Sequence, residues 1–311
     1  MRIFRLVPDQ TRISFLRFEY WGYIASAILI ALTLILVPYK GLNFGIDFRG
    51  GILVEVRMPG ETVDLGAMRS TLGGLGLGEV ALQEFGEPTD VLIRIERQAG
   101  DEEAQQAAVQ TVRATLAEEF GEGISYRRVE FVGPKVSEEL FWAGTQAVIY
   151  AIIAILAYVW FRFEWHFAVG AIIALIHDTV TTLGLFALFQ LEFNLATVAA
   201  IMTIVGYSLN DTVVIYDRVR ENLRRYKSMT LPELLDRSIN ETLARTVMTA
   251  VTTLLALLAL LVFGGPVIRD FVIAMMWGVV IGTFSTIYVA VPVLIHLGLR
   301  REAVAPVAGT T

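Results

Sequence analysis

Gly206 to Asn222 reads GYSLNDTVVIYDRVREN and places Asn210 and Asp211 inside an otherwise apolar segment. That segment, Leu195 to Tyr216, is 22 residues long and carries Asp211 as its only formal charge. It is about the length an α-helix needs to cross a hydrocarbon core of about 30 Å. An ionisable side chain at membrane depth costs about 2.5–3.5 kcal/mol on insertion scales, so it faces the protein interior, pairs with another group or lines an ion path. Asp211 is therefore the first candidate functional residue, with Asn210 beside it. The competing reading is a buried aspartate with a structural task only.

The composition is that of a membrane protein with a soluble part. Of the 311 residues 55% are apolar and 18% charged, against roughly 25% charged in soluble domains. The net charge of −6 is unevenly placed: residues 41–138 hold 9 Lys+Arg and 17 Asp+Glu, net −8, and the remainder is +2. Nucleic-acid binding would want a concentrated basic face, and none is visible. With no cysteine, disulfides, thiolate metal sites and cysteine catalysis are excluded. His166, His177 and His296 have no metal-ligand spacing, and no GXXXXGK[ST] loop is present. The glycines at 73, 74, 76 and 78 read as turns.

Residues 1–18 carry Arg2, Arg5, Arg12 and Arg17 and read as a cytoplasmic tail by the positive-inside rule. A first span at 19–38 follows, uncleaved because Pro38, Tyr39 and Lys40 offer no small-residue cleavage site. From 39 to 138 the texture is alternation and turns. Strands are expected at Ile52–Val56, Val80–Glu87, Asp90–Arg97 and Ile124–Val132, with helices at Asp64–Leu77 and Asp101–Phe120 and a Glu-Pro-Thr-Asp turn at Pro88. That order, β-α-β-β-α-β, is the ferredoxin-like split βαβ arrangement. Further spans are read at 139–161, 167–189, 195–216, 243–263 and 271–298, with a basic loop at 217–242 and a C-terminal tail at 299–311. Arg218, Arg220, Arg224, Arg225, Lys227 and Arg237 fall in that loop, and Arg300 and Arg301 follow the last span. The connections 190–194 and 264–270 carry only Arg269 as a base. The expected fold is thus an α-helical polytopic membrane protein with six transmembrane helices, both termini cytoplasmic. A small α+β ferredoxin-like extracytoplasmic domain lies between helices 1 and 2. The basic loop could also touch anionic membrane lipid.

Three polar features lie at depth. His177-Asp178 sits about 16 Å from the end of span three, Asn210-Asp211 lies in span four, and Arg245 opens span five. Spans four and five are antiparallel, so Asp211 and Arg245 can share the inner half of the bilayer. A carboxylate that moves between a guanidinium and apolar surroundings takes up and releases a proton. The plainer alternatives are a snorkelling Arg245, a self-satisfied His177-Asp178 pair that locks span three to a neighbour, and Thr246, Thr249, Thr252 and Thr253 as packing and backbone-bonding groups.

Four segments in order carry a resemblance: GLNFGIDFRGG (Gly41–Gly51), IALIHDTVTTLG (Ile173–Gly184), GYSLNDTVVIYDRVREN, and ETLARTVMTAVTTLL (Glu241–Leu255). By these the chain resembles the SecF branch of the SecD/SecF family of bacterial protein secretion, in the resistance-nodulation-division superfamily. The resemblance implies a non-enzymatic subunit of the bacterial inner membrane. It would pair with SecD, assist the SecYEG translocon, with YajC as a further partner, and use the proton-motive force to draw out preproteins. No cofactor is implied beyond the proton gradient as energy source. Carried over by position, the proton relay is Asp211, with Asn210 beside it and Arg245 its span-five partner; Asp178, which lies in a family motif, is a further relay candidate. Gly41, Gly45, Gly50 and Gly51 form a candidate hinge through which protonation of Asp211, by weakening its pairing with Arg245, would reach the outer domain along span one. The rival readings are a half-unit of a proton-coupled exporter of small molecules or lipids, and a purely structural membrane subunit.

Overall fold

The structure is a computed structural model and describes residues 11–100, 102–121 and 123–299. Arg2, Arg5, Arg300 and Arg301 lie outside the described residues. The chain divides into two units. One comprises 44–146 with 192–195; the other comprises the described parts of 1–43, 147–191 and 196–311.

Helix α1 (Glu19–Lys40) forms from the first apolar run and ends where Gly41 takes φ 74°. After β1 (Asn43–Phe44) and the single turn α2 (Ile46–Arg49) come β2 (Gly51–Arg57), α3 (Leu65–Gly73), β3 (Val80–Phe85), β4 (Glu87–Ile95), α4 (Glu102–Phe120) and β5 (Ser125–Val132). The sheet order is β3-β4-β2-β5, with every pair antiparallel, which is the ferredoxin-like arrangement. Alternation in β2 decides its faces: Ile52, Val54 and Val56 are fully buried with Met68, Leu72, Val112 and Leu116 from the two helices, as a two-residue period requires. On the other face Leu53 and Leu92 pack with Ile46. The helix starts follow known chemistry: Asp64 accepts from the N–H groups of Gly66 and Ala67, satisfying donors that the first turn of α3 leaves open.

One turn differs from its expected place. Pro88 lies inside β4, and the reversal falls on Gly86 at φ 90°, between the paired Phe85 and Glu87. Glycine tolerates that backbone where proline is confined to φ near −65°.

The remaining helices are α5 (Pro134–Arg162), α6 (Trp165–Phe189), α7 (Leu195–Arg225), α8 (Leu231–Phe263), α9 (Arg269–Ser285) and α10 (Val291–His296), with the two-residue strand β6 (Glu192–Phe193) between α6 and α7. Among the described residues six helical stretches are long and apolar enough to cross a membrane. A π-helical turn, Thr286–Ala290, joins α9 to α10. It falls just before Pro292, which has no N–H to return to the preceding turn.

The expected loop at 217–242 is largely helix. At 31 and 33 residues, α7 and α8 run about 46 and 50 Å, and only Tyr226–Thr230 separates them. Ion pairs a turn apart hold the extensions: Arg218–Glu221 at 2.7 Å and Arg237–Glu241 at 2.8 Å. Glu233 also accepts from the Thr230 N–H at 3.2 Å. Asn222 then ties α7 to α8, donating to Ser238 Oγ and Glu241 Oε2 at 3.0 and 2.9 Å.

Nor is the end of the N-terminal segment a free tail. The Asn240 side chain accepts from the Ile13 N–H and donates to its carbonyl, Asp236 accepts from the Leu16 N–H, and Phe15 and Leu16 are buried. Close helix contacts depend on small residues. A side chain at Gly184 would run into Thr33 of α1, and one at Gly278 into Ile204 of α7.

Candidate functional site

Asp178 is fully buried in α6 and serves as a hub. Its Oδ2 accepts from Ser208 Oγ of α7 at 2.6 Å and Ser285 Oγ of α9 at 2.8 Å, and its Oδ1 lies 3.0 Å from His177 Nδ1. An ionised Asp178 can accept from all three when His177 is neutral with its proton on Nδ1. The Thr181 and Thr182 hydroxyls bond the Asp178 carbonyl, so they serve the backbone rather than the carboxylate. The approach of Ser208 depends on Gly282, where a Cβ would stand 3.0 Å from the Ser208 Cβ. One helical turn along α7, Thr212 bonds Thr286 Oγ1 at 2.8 Å, and Tyr216 donates to the Ala290 carbonyl at 3.0 Å. Both partners lie in the π-helical turn, so α6, α7 and α9 are joined by satisfied polar contacts, each about 1 kcal/mol net but costly to break singly.

Asp211 has different surroundings. It is half-buried on α7, its Oδ1 accepts from Thr246 Oγ1 of α8 at 2.6 Å, and its Oδ2 has no partner among the described residues. The expected pairing with Arg245 is not formed. Successive helix residues are rotated by about 100°; Thr246 is buried toward α7, and Arg245 next to it is exposed. Asn210 is exposed on α7. Thr249 and Thr252 bond backbone carbonyls of their own helix, as expected, whereas Thr246 is the direct partner that sequence reasoning passed over. Ser208 and Ser285 were missed as well.

The glycines of the segment after α1 have separate reasons. Gly41, Gly50 and Gly51 sit at φ 74°, 70° and 115°, a region costly for other residues, and at Gly45 a side chain would meet the Glu192 carboxylate. The segment is braced. The Gly45 N–H donates to the Phe193 carbonyl at 2.9 Å, and β1 pairs with β6.

Residues 112–300 match the family profile described as protein export membrane protein SecD/SecF, C-terminal, and residues 38–58 match the SecD/SecF GG motif. The chain belongs to the SecD/SecF family. The protein translocase subunit SecF of Rickettsia bellii is 46% identical over 290 residues, covering 93% of this chain and 95% of that one. That of Rickettsia felis is 44% identical over 297 residues, 96% of each. Among solved structures, SecDF from Thermus thermophilus, described as a translocon-associated membrane protein, superposes with TM-score 0.84 at 36% identity. A super-membrane-facing form of SecDF gives 0.69. The first match covers 94% of this chain but 39% of the SecDF chain, so this member of the SecD/SecF family spans about two-fifths of that longer protein. It is a helical multi-pass bacterial membrane protein with a small ferredoxin-like α+β domain. Asp211 and Asp178 both fall within the span of the family profile, and Gly41–Gly51 within that of the GG motif.

Proposed function

We propose that the chain is the SecF subunit of a SecD–SecF assembly of the bacterial inner membrane, promoting preprotein translocation and release at the SecYEG translocon at the expense of the proton-motive force. Relatives that bear the SecF name over nearly their whole length support the assignment. SecD supplies the remaining part of the functional unit, as the longer SecDF chain suggests, and YajC is a further candidate partner. Both termini lie in the cytoplasm and the ferredoxin-like domain outside it, in line with the basic residues between α7 and α8.

One observation carries the proton coupling: the Asp211 carboxylate has one oxygen held by Thr246 and the other unpartnered. A proton can bind Oδ2 without displacing the bond to Oδ1, so the group can change charge while staying in register with α8. Exposed Asn210 and Arg245 flank it, on the side where SecD completes the site. The change in charge alters how strongly Asp211 ties α7 to Thr246 of α8, and the two helices shift together against their surroundings in response. The Asp178 hub ties α6, α7 and α9 together. No catalytic residue and no cofactor take part.

The test is preprotein release from reconstituted membranes containing the SecD partner, with and without a proton gradient. The Asp211→Asn variant is expected to assemble in normal yield and lose the gradient-dependent part of release. Unchanged gradient dependence would contradict the proposal.

A further inference from the structure

The residues that lead into α7, Glu192–Leu195, fold with the ferredoxin-like unit rather than with the helix they begin. Arg94 of β4 pairs with Glu192 at 3.0 Å, each side chain only 15% exposed. The Leu195 N–H donates to Asp47 Oδ2 at 2.9 Å. The Phe193 ring meets Phe44 edge-on and leans on Phe48, and Phe48 in turn meets Phe141. Leu195 is the first residue of α7, so its N–H is one of the donors a helix cannot satisfy internally. A carboxylate there also complements the positive end of the helix dipole.

Asp211 lies sixteen residues further along the same helix, about 24 Å at 1.5 Å per residue. Any axial or tilting displacement of α7 at Asp211 is carried by continuous backbone to Leu195, where Asp47 and the Arg94–Glu192 pair receive it. A mostly buried ion pair suits that task, since breaking one partner leaves an uncompensated charge and the contact therefore resists slipping. We infer that Asp47, Arg94 and Glu192 are positioning residues that form a coupling joint, delivering the response of α7 directly to the outer domain, in addition to any path through α1 and Gly41–Gly51. The inference rests on the function proposed above.

Charge reversal tests it in the assembled complex. Arg94→Glu and Glu192→Arg are each expected to reduce gradient-stimulated preprotein release at least fivefold at normal complex yield, while gradient-independent release is kept. The double swap Arg94→Glu with Glu192→Arg restores stimulation to within twofold. Asp47→Asn, whose amide oxygen still caps the helix, retains stimulation, and Asp47→Ala loses it. Should a single reversal fail to accumulate, Arg94→Gln and Glu192→Gln take its place in the same comparison. Single variants that keep full stimulation overturn the joint, as do variants in which release falls only in proportion to complex yield. Asp211→Asn is run beside them. If it loses stimulation while the joint variants keep it, the joint alone is wrong; if it keeps stimulation, the proton-coupled reading fails and the joint with it.

Discussion

Asp178 and Asp211 are two carboxylates in neighbouring apolar helices, each beside a polar residue in sequence, yet their surroundings differ sharply. Asp178 has both oxygens filled by donors from its own helix, α7 and α9, and no exposure. Among the described residues Asp211 has one donor and one unpartnered oxygen, with exposed neighbours at 210 and 245. A satisfied buried carboxylate rigidifies what it bonds; one left half-satisfied keeps an oxygen available to a proton or a donor. The difference teaches that two intramembrane carboxylates in similar sequence surroundings can differ in how many donors they meet, which under the proposed function separates an anchor from a switch.

The largest expected effect breaks the anchor. Asp178→Ala strands the Ser208 and Ser285 hydroxyls and the His177 ring, and is expected to cost about 3–5 kcal/mol, read as a lowered midpoint of thermal unfolding in detergent. Asp211→Ala removes a single bond and is expected to cost about 1 kcal/mol; equal costs would erase the contrast. Gly282→Val disturbs the hub without touching the carboxylate, forcing Ser208 away at an expected cost of about 1–3 kcal/mol. If Gly282→Val is neutral by the same measurement, the close approach of α9 to α7 is not what positions Ser208.

Thr246→Val sharpens the other side. It removes the hydroxyl that holds Asp211, with an expected stability change below about 1 kcal/mol but a shifted pH dependence of preprotein release. An unshifted profile would mean that Thr246 is packing alone.

A third carboxylate, outside the membrane helices, gives the smallest expected effect, read on acidification. The hydrogen bonds from Arg57 hold Asp90 below the usual carboxylate range, with the Arg127 charge adding to them. Because the folded-state pKa is depressed, the stabilisation is full above the unfolded value of about 3.9 and is lost as pH falls through the folded value. Unfolding of the ferredoxin-like domain should ease below about pH 4, and Asp90→Asn should flatten that slope.

Much of this was legible in the chain itself. The apolar runs gave six long helices, and the strand-like run ILVEV gave β2, which is buried on both faces. Asp211 stood out as the lone charge in its run. What stayed hidden depended on which face of a helix meets another. Arg245 and Thr246 are adjacent, and only the packing of α8 on α7 decides which of them reaches Asp211. Ser208 and Ser285 lie 30 and 107 positions from Asp178, and a serine in an apolar run announces no partner. The helix extensions could have been read, since Thr230 and Glu233 stand in capping-box spacing. The reading of 217–242 as loop followed its charge and overlooked its i,i+3 and i,i+4 pairs.

The most direct test of this division of labour compares Asp178→Asn with Asp211→Asn in reconstituted membranes with the SecD partner, measuring thermal stability and gradient-dependent preprotein release on the same preparations. The account predicts that Asp211→Asn keeps stability and loses gradient dependence. Asp178→Asn should lose stability and, where it assembles, keep gradient dependence. The reverse pattern, or loss of gradient dependence from both variants at full stability, would contradict it.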